Sequence, residues 1–285
     1  MSESTTAYLD EAGRPRLRTS IVAFLDILGF SQASTSCATT EDAQLLLDKI
    51  ATAIDDSRDF VRKSFTDGES APAHRWATKF FSDNLALGYA FDDKTVDHAS
   101  AAWFIIRCAQ RYQLRMVMNG FFVRGALTQG LICLTDEIIF GSALIECYQL
   151  ESKASIVPRV ILSEPLQQVI MNSYRADADR LAAVAPQAIC RDVDGWWFVN
   201  YLEATQDTCG VQWELIERHK ASILDSLSHT TRHDVLPKFG WACRYHNVFC
   251  HWHRDDSGYS DRYRIDRADE QSTIFRLSDT TEEAP

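Results

Sequence analysis

Ile21-Val22-Ala23-Phe24-Leu25-Asp26-Ile27-Leu28-Gly29-Phe30-Ser31 is the run on which the reading of this chain turns. Ile21 to Leu25 are all apolar, as in a strand buried on both faces. The strand then meets a carboxylate and a glycine-containing turn. A second apolar stretch, Trp76-Ala77-Thr78-Lys79-Phe80-Phe81-Ser82-Asp83-Asn84, ends in the same way.

Carboxylates at the ends of neighbouring strands suit a hard divalent cation, which prefers oxygen donors. A glycine in the first turn lets backbone amides approach a phosphate chain. Together they are the parts needed for metal-dependent transfer at a phosphate. Each residue also has a plainer reading. Asp26 could cap a helix after the strand, and Asp83 could be an ordinary turn residue.

The bulk numbers narrow the class. At 285 residues the chain can hold one large domain, or a domain with an appendage. Hydrophobic residues are 46%, aromatic 11% and charged 24%, as in a soluble globular protein. The formal charge of −11 argues against long nucleic acid as a partner, because phosphate backbones need a basic surface. A small triphosphate is still compatible, being neutralised locally. Met1 to Arg18 is polar and does not read as a signal peptide, and no apolar run reaches the ~18 residues of a membrane span. A cytoplasmic location, with no membrane partner, is expected. The 8 cysteines contain no Cys-x-x-Cys pair and read as reduced thiols, several of them buried.

Along the chain, residues 1–18 read as a flexible leader. A buried strand over 20–30 is followed by helical spacing from Thr40 to Phe65 and a loop over 66–73. Arg75–Phe81 and Leu85–Phe91 read as a β-hairpin turning at Ser82-Asp83-Asn84. A helix from Val96 to Met118 stops at Asn119-Gly120. Then come a strand over Phe121–Gly130, a short strand ending near Phe140, a helix from Gly141 through Ala154 and a strand over Pro158–Leu162. Strands near Ile189 and at Trp196–Leu202 close an α+β unit whose antiparallel sheet is covered by helices on one face. Two amphipathic helices, Val211–Ser228 and Val235–His253, form a C-terminal hairpin, with Trp241, Tyr245, Phe249 and Trp252 as packing residues. The tail from Asp255 reads as mobile. The expected division is a leader over 1–18, a main domain over 19–203, and a helical extension with tail over 204–285.

Phe24-Leu25-Asp26-Ile27-Leu28-Gly29-Phe30, Lys79-Phe80-Phe81-Ser82-Asp83 and the helix-opening turn Phe140-Gly141-Ser142-Ala143-Leu144 together resemble the class III nucleotidyl cyclases. Serine replaces the glycine that the family carries before the second aspartate. The Arg124-Gly125 strand, the run Gly141 to Glu151 and the tail with Tyr245-His246-Asn247 look more like the pyrimidine cyclases of bacterial Pycsar anti-phage systems.

The resemblance implies a ferredoxin-like or palm fold and an antiparallel homodimer with active sites at its interface. It implies two Mn²⁺ or Mg²⁺ ions per site, held by Asp26, Asp83 and the Ile27 carbonyl. Phe24, Leu28, Gly29, Phe30 and Lys79 would bind nucleotide, and Arg124 would join Asp26 and Asp83 as a catalytic group. The implied reaction converts UTP to 3′,5′-cyclic UMP and diphosphate, and a cyclic-nucleotide-activated effector reads the product. CTP as substrate, or a module that binds nucleotide without turning it over, are the alternatives.

Departures from the family are equally visible. Leu131 follows Gly130, where the family uses a basic residue on the diphosphate, leaving Arg124, Arg111, Arg115, Lys153 or Arg159 to substitute. The aspartate that partners the base-contacting lysine falls at Ile138. A retained donor at Lys79 without that acceptor suits uracil O4 better than an amine. Lys79 could otherwise be a solvent-facing strand lysine, Arg124 a paired structural arginine, and Glu146 and Glu151 part of a solvated helix face.

Overall fold

The computed structural model describes residues 6–66, 76–91, 98–176, 187–230, 232–265 and 274–276. Strand alternation divides β1 (Arg18–Ile27) between two cores. Ile21, Ala23, Leu25 and Ile27 belong to one apolar cluster, whereas Val22 and Phe24 belong to the other. Each such fully buried Leu, Ile or Val side chain contributes about 1.5–3 kcal/mol.

After a short helix α1 (Phe30–Thr35) comes α2 (Thr40–Thr66), then a hairpin of β2 (Trp76–Phe81) and β3 (Asn84–Ala90). Helix α3 (His98–Met118) returns to β4 (Val123–Leu134). The four strands lie in the order β4-β1-β3-β2, every neighbour antiparallel. A strand-helix-hairpin-helix-strand chain in that order is the ferredoxin-like arrangement. The fold is therefore α+β, as expected.

A two-residue β5 (Ile139–Phe140) pairs with β4 and leads into α4 (Ser142–Lys153). Strand β6 (Val160–Leu162) extends the sheet parallel to β4 and is followed by α5 (Glu164–Ala176). Strands β7 (Ile189–Arg191) and β8 (Trp197–Val199) carry the sheet on, and β9 (Gln206–Asp207) pairs with β10 (Gly210–Val211) as a separate ribbon. The C-terminal helices are α6 (Trp213–Ser228) and α7 (Leu236–Trp252), and β11 (Phe275–Arg276) pairs with β7 at the sheet edge.

Helices cover both faces of the sheet, not the single face expected. Ile50 of α2, residues along α3 and Leu166 and Ile170 of α5 pack on one side. Ala143 and Cys147 of α4 and the aromatics of α7 pack on the other. Strands apolar on both faces require both to be covered, which is why β1 reads as an unbroken apolar run.

Three further differences have physical causes. Tyr8, in the expected leader, is fully buried and donates to Ser20 Oγ at 2.9 Å, and Leu9 bridges to Pro15. A polar segment with one apolar anchor can be tied down without showing periodicity. The tail from Asp255, expected as mobile, buries Tyr263, Ile265 and Ile274 in the same cluster as Val22 and Phe24. That cluster runs across the expected boundary at 203/204, through Trp241, Tyr245 and Phe249. The ring of Trp241 lies 5.4 Å from Phe198 of β8, and Trp241 Nε1 donates to Asp192 Oδ2 at 2.6 Å. Helix α5 was not anticipated, although Ser163 marks its start by accepting from the Leu166 amide.

Residues 67–73 of the expected loop, Arg75 and most of the last residues lie outside the described residues. All eight cysteines are free thiols, six of them buried. Among the described residues no helix is long and apolar enough to cross a membrane.

Candidate active site at the end of the central strands

Three strands bring three polar residues into one row. Asp26 on β1 pairs in register with Asn84 on β3 and with Arg124 on β4. The β2–β3 turn is fastened against this row, because the Ile27 amide donates to the Asp83 carbonyl at 3.3 Å. Asn84 Nδ2 donates to Asp83 Oδ1 at 3.1 Å, orienting that carboxylate. Ser82 reaches the turn with φ at 56°, a left-handed conformation that explains why a glycine suits this position.

Beyond Asp26 the chain turns at Gly29, whose φ of 83° favours a residue without Cβ. The Leu28 amide donates to the Phe122 carbonyl at 2.8 Å and fixes the turn beside β4. Gly141 meets a second constraint: at φ 151° a Cβ would lie 2.2 Å from the Leu131 carbonyl oxygen. Its conformation sets α4 across the sheet, so that Glu151 reaches the same end as Asp26.

Glu151 is only 3% exposed and its Oε1 lies 2.6 Å from the Arg124 guanidinium. Arg124 Nε also donates to Asp26 Oδ2 at 3.0 Å. One guanidinium therefore serves two carboxyls, and Glu151 is no part of a solvated helix face. Burial pushes Asp26 up to about 7, against the hydrogen bond and charge of Arg124, with Glu151 and Asp83 adding like-charge repulsion. Burial also raises Glu151, while Arg124 and a hydrogen bond with Asp26 oppose the shift. The two carboxyls act as an acidic pair.

Asp26, Ile27, Leu28, Gly29, Phe30 and Asp83 line a cleft of about 610 Å³ together with Arg124, Tyr148 and Glu151. The C-terminal part supplies the facing wall: Arg232, Asp234, Val235, Lys238 and Phe239. No motif pointed to these residues, and Arg232 and Lys238 look in sequence like ordinary surface cations.

Two expected nucleotide-binding residues do not line this cleft within the one chain. Phe24 is buried between the rings of Phe81 and Tyr148, at 6.0 and 6.1 Å. Lys79 Nζ donates to the Asp136 carbonyl at 2.5 Å and to that of Thr135 at 3.4 Å, tying β2 to the β4–β5 loop away from this cleft. Two of the candidate substitutes for the missing basic residue are similarly occupied. Arg115 pairs with Asp56, and Arg159 is buried against Asp192 and Asp194. Glu146 accepts from Thr128 Oγ1 at 2.8 Å. Of the basic residues named from the sequence, Arg124 alone lines the cleft.

The donor set fits a hard divalent cation. Asp26, Asp83 and Glu151 outnumber the guanidinium on the cleft floor, with Glu151 buried and the two aspartates partly open to the cleft. Among the described residues no three acidic, histidine or cysteine side chains are grouped to hold an ion alone. Asp26 and Asp83 are the carboxylates available there, and a hard divalent ion can be held by one or two carboxylates together with substrate phosphates and water.

No family model matches the chain, and no curated protein matches it in sequence. Among solved structures it is similar to the adenylyl cyclase CyaB from P. aeruginosa, with a TM-score of 0.45 and 15% identity over 65% of this chain and 94% of that one. It is also similar to a class III adenylyl cyclase-like ATP-binding protein from Pseudomonas aeruginosa, with a TM-score of 0.39 and 12% identity over 54% of this chain and 35% of that one. At these values the function has to be argued from the site itself.

Proposed function

We propose that the chain is a nucleotide cyclase that converts UTP to 3′,5′-cyclic UMP and diphosphate, working as a homodimer. The observation that carries this reading is the meeting of Asp26, Asp83, Arg124 and the Gly29 turn in one cleft. In the reaction the ribose 3′-oxygen bonds to the α-phosphorus, the bond to the diphosphate oxygen breaks, and the hydroxyl proton passes to solvent. Asp26, Asp83 and the Ile27 carbonyl would hold two Mn²⁺ or Mg²⁺ ions, which when bound acidify the hydroxyl and offset charge on the leaving group.

The chain's own residues do the rest. The Gly29 turn offers backbone amides to phosphate oxygens. Arg124 lies where charge develops on the transferring group, and a fixed donor of this kind lowers the barrier by about 3–4 kcal/mol. Asn84 keeps Asp83 oriented, and buried Glu151 keeps Arg124 in place.

A second copy of the chain would complete the site. Phe140, Ile145, Tyr148 and Ile138 are exposed on β5, α4 and the loop before them, and Tyr148 also lines the cleft. Large apolar side chains beside an open polar cleft fit a self-complementary interface. The same surface carries Lys79 and the loop to Ile138, from which an antiparallel partner could offer a donor to uracil O4. A cyclic nucleotide released in this way would act as a messenger in phage defence, read by a separate effector.

A nucleotide-binding module without turnover is the second reading, and the pairing of Arg124 with Asp26 favours it, since a cation must compete with that contact. Incubation with each of the four nucleoside triphosphates and Mn²⁺, followed by mass spectrometry, tests both. Cyclic UMP with diphosphate is expected. Cyclic CMP would change the base assignment, and no product from any nucleotide would leave only the binding module.

A further inference from the structure

We infer that Lys238, in the first turn of α7, binds the terminal phosphates of the nucleoside triphosphate, so that the C-terminal helical pair is part of the nucleotide site. This rests on the nucleotide reading of the cleft given above. Lys238 lines the cleft opposite Asp26 and Arg124 and is partly buried. Among the described residues its side chain makes no hydrogen bond and no ion pair.

A lysine drawn out of water without a partner is unfavourable. Burial and the facing Arg124 hold its pKa below the usual lysine value. Its place on α7 adds to the conflict, because the first turn of a helix repels a cation. A local rule broken at a cleft wall marks a place shaped for something bound there.

The neighbouring acids do not resolve the conflict. Asp234 is held by Arg232, through Nε at 2.8 Å and a second guanidinium nitrogen. Asp26 is held by Arg124. Lys238 is the spare cation of this wall, and a triphosphate carries charge enough to engage it as well as metal. An ammonium takes phosphate oxygens as a compact point charge.

The wall is also fixed relative to the phosphate turn. Arg232 Nη1 donates to Gln32 Oε1 at 2.6 Å, tying the α6–α7 loop to α1 just after Gly29. Phe239 packs edge-on against Phe122 at 5.2 Å, beside the strand end that fixes Leu28. Lys238 and the Gly29 turn therefore line one cleft of about 610 Å³, the volume into which a polyphosphate would have to enter.

Binding to the full-length chain, measured calorimetrically with Ca²⁺ for the four nucleoside triphosphates, their monophosphates and inorganic tripolyphosphate, tests the inference. Lys238→Gln should weaken triphosphates and tripolyphosphate at least about tenfold, as loss of a charged hydrogen bond does, and leave monophosphates within twofold. Lys238→Arg should recover most of the affinity, and neither variant should melt below the wild type, with Lys238→Gln equal to it or higher because an unpartnered cation is removed. Unchanged triphosphate binding by Lys238→Gln, or an equal loss for monophosphates, would overturn the role of Lys238 while leaving the proposed function standing. A wild-type chain that binds none of the triphosphates would overturn both.

Discussion

Arg124 Nε donates to Asp26 Oδ2 at 3.0 Å from the position directly paired with it across β4 and β1. The guanidinium also reaches Glu151, so one charge satisfies two buried carboxyls. Removing it leaves them facing each other. Arg124→Gln is therefore expected to destabilise the chain by about 3 kcal/mol at pH 8, the usual size for breaking a partly buried ion pair. The loss should shrink at pH 6, where Asp26, already raised to about 7, takes a proton. Added Mn²⁺ should restore part of it. Melting curves at the two pH values, with and without Mn²⁺, check this, and a pH-independent loss would contradict it.

Asp26 and Asp83 differ in surroundings but are expected to behave alike in function. Asp26→Asn keeps a polar group beside Arg124, and Asp83→Asn keeps the turn contact with Asn84. Each should reduce product formation by a hundredfold or more, since a ligand is lost from a site with few protein donors. Neither variant should show the rise in melting temperature that Mn²⁺ gives the wild type. Activity within tenfold of wild type in either variant would remove that residue from the metal site.

Phe140 and Ile145 test the assembly. Both are more than half exposed, at 64% and 59%, on the face beside the cleft. Phe140→Asp or Ile145→Asp should disrupt a dimer through that face without touching the monomer core. The expected outcome is a monomer by light scattering, with an unchanged melting temperature and lost turnover. A fully active monomer would show that one chain completes its own site.

The strain at Ser82 yields a stability prediction. Its φ of 56° costs a non-glycine residue about 1 kcal/mol, and a glycine returns part of that gain as unfolded-chain entropy. Ser82→Gly should thus be neutral or stabilising by up to ~1 kcal/mol, whereas Ser82→Val should lose about 1–2 kcal/mol. Urea unfolding distinguishes them. A Val variant as stable as wild type would mean the turn relaxes at no cost.

Asp26, Ile27, Asp83 and the Gly29 turn were legible because the signal is local: a strand ends, and a carboxylate and a glycine follow. The ferredoxin-like core was legible for the same reason, through apolar runs separated by turn residues. Glu151 was not, because its burial depends on the angle at which Gly141 sets α4 across the sheet. Lys238 and Arg232 were further from reach, since the α6–α7 loop meets α1 only after the whole sheet has formed. The contacts of Lys79 within the chain could not be read, because a strand lysine carries no mark of which carbonyls it will meet; here the Thr135 and Asp136 carbonyls accept from its ammonium. Helix α5 was open to the same reading but was passed over: Leu166, Val169 and Ile170 have helical spacing, and Ser163 precedes them as a cap.

The buried pair His219 and His246 gives the chain an acid limit whose sign follows from hydrogen-bond directions. His246 Nε2 lies 2.8 Å from the Tyr263 carbonyl, which can only accept, so that nitrogen carries the proton. The bare Nδ1 of neutral His246 then accepts from His219 Nδ1 at 2.9 Å. His219 Nε2 is left to accept from the Tyr201 hydroxyl at 2.8 Å. Every nitrogen is used, and a second proton on either ring would break the chain of contacts between α6, α7 and the tail. Burial accordingly lowers His246 to about 4 and His219 well below its ordinary value, the latter also through His246.

The unfolded chain protonates both rings near pH 6.5, so their contribution is complete above that pH and is lost as pH falls toward 4. The slope is about 1.4 kcal/mol per pH unit for each ring. Glu203, raised by burial to about 7, acts in the opposite sense, since its proton favours the folded state below pH 7. The histidine effect is therefore read as a difference between chains. Urea unfolding of wild type and His219→Gln at pH 7.0, 5.5 and 4.5 should show the variant less stable at neutral pH, with the gap closing by about one proton's slope on acidification. Parallel stability curves at all three pH values would mean that His219 is not held neutral in the core.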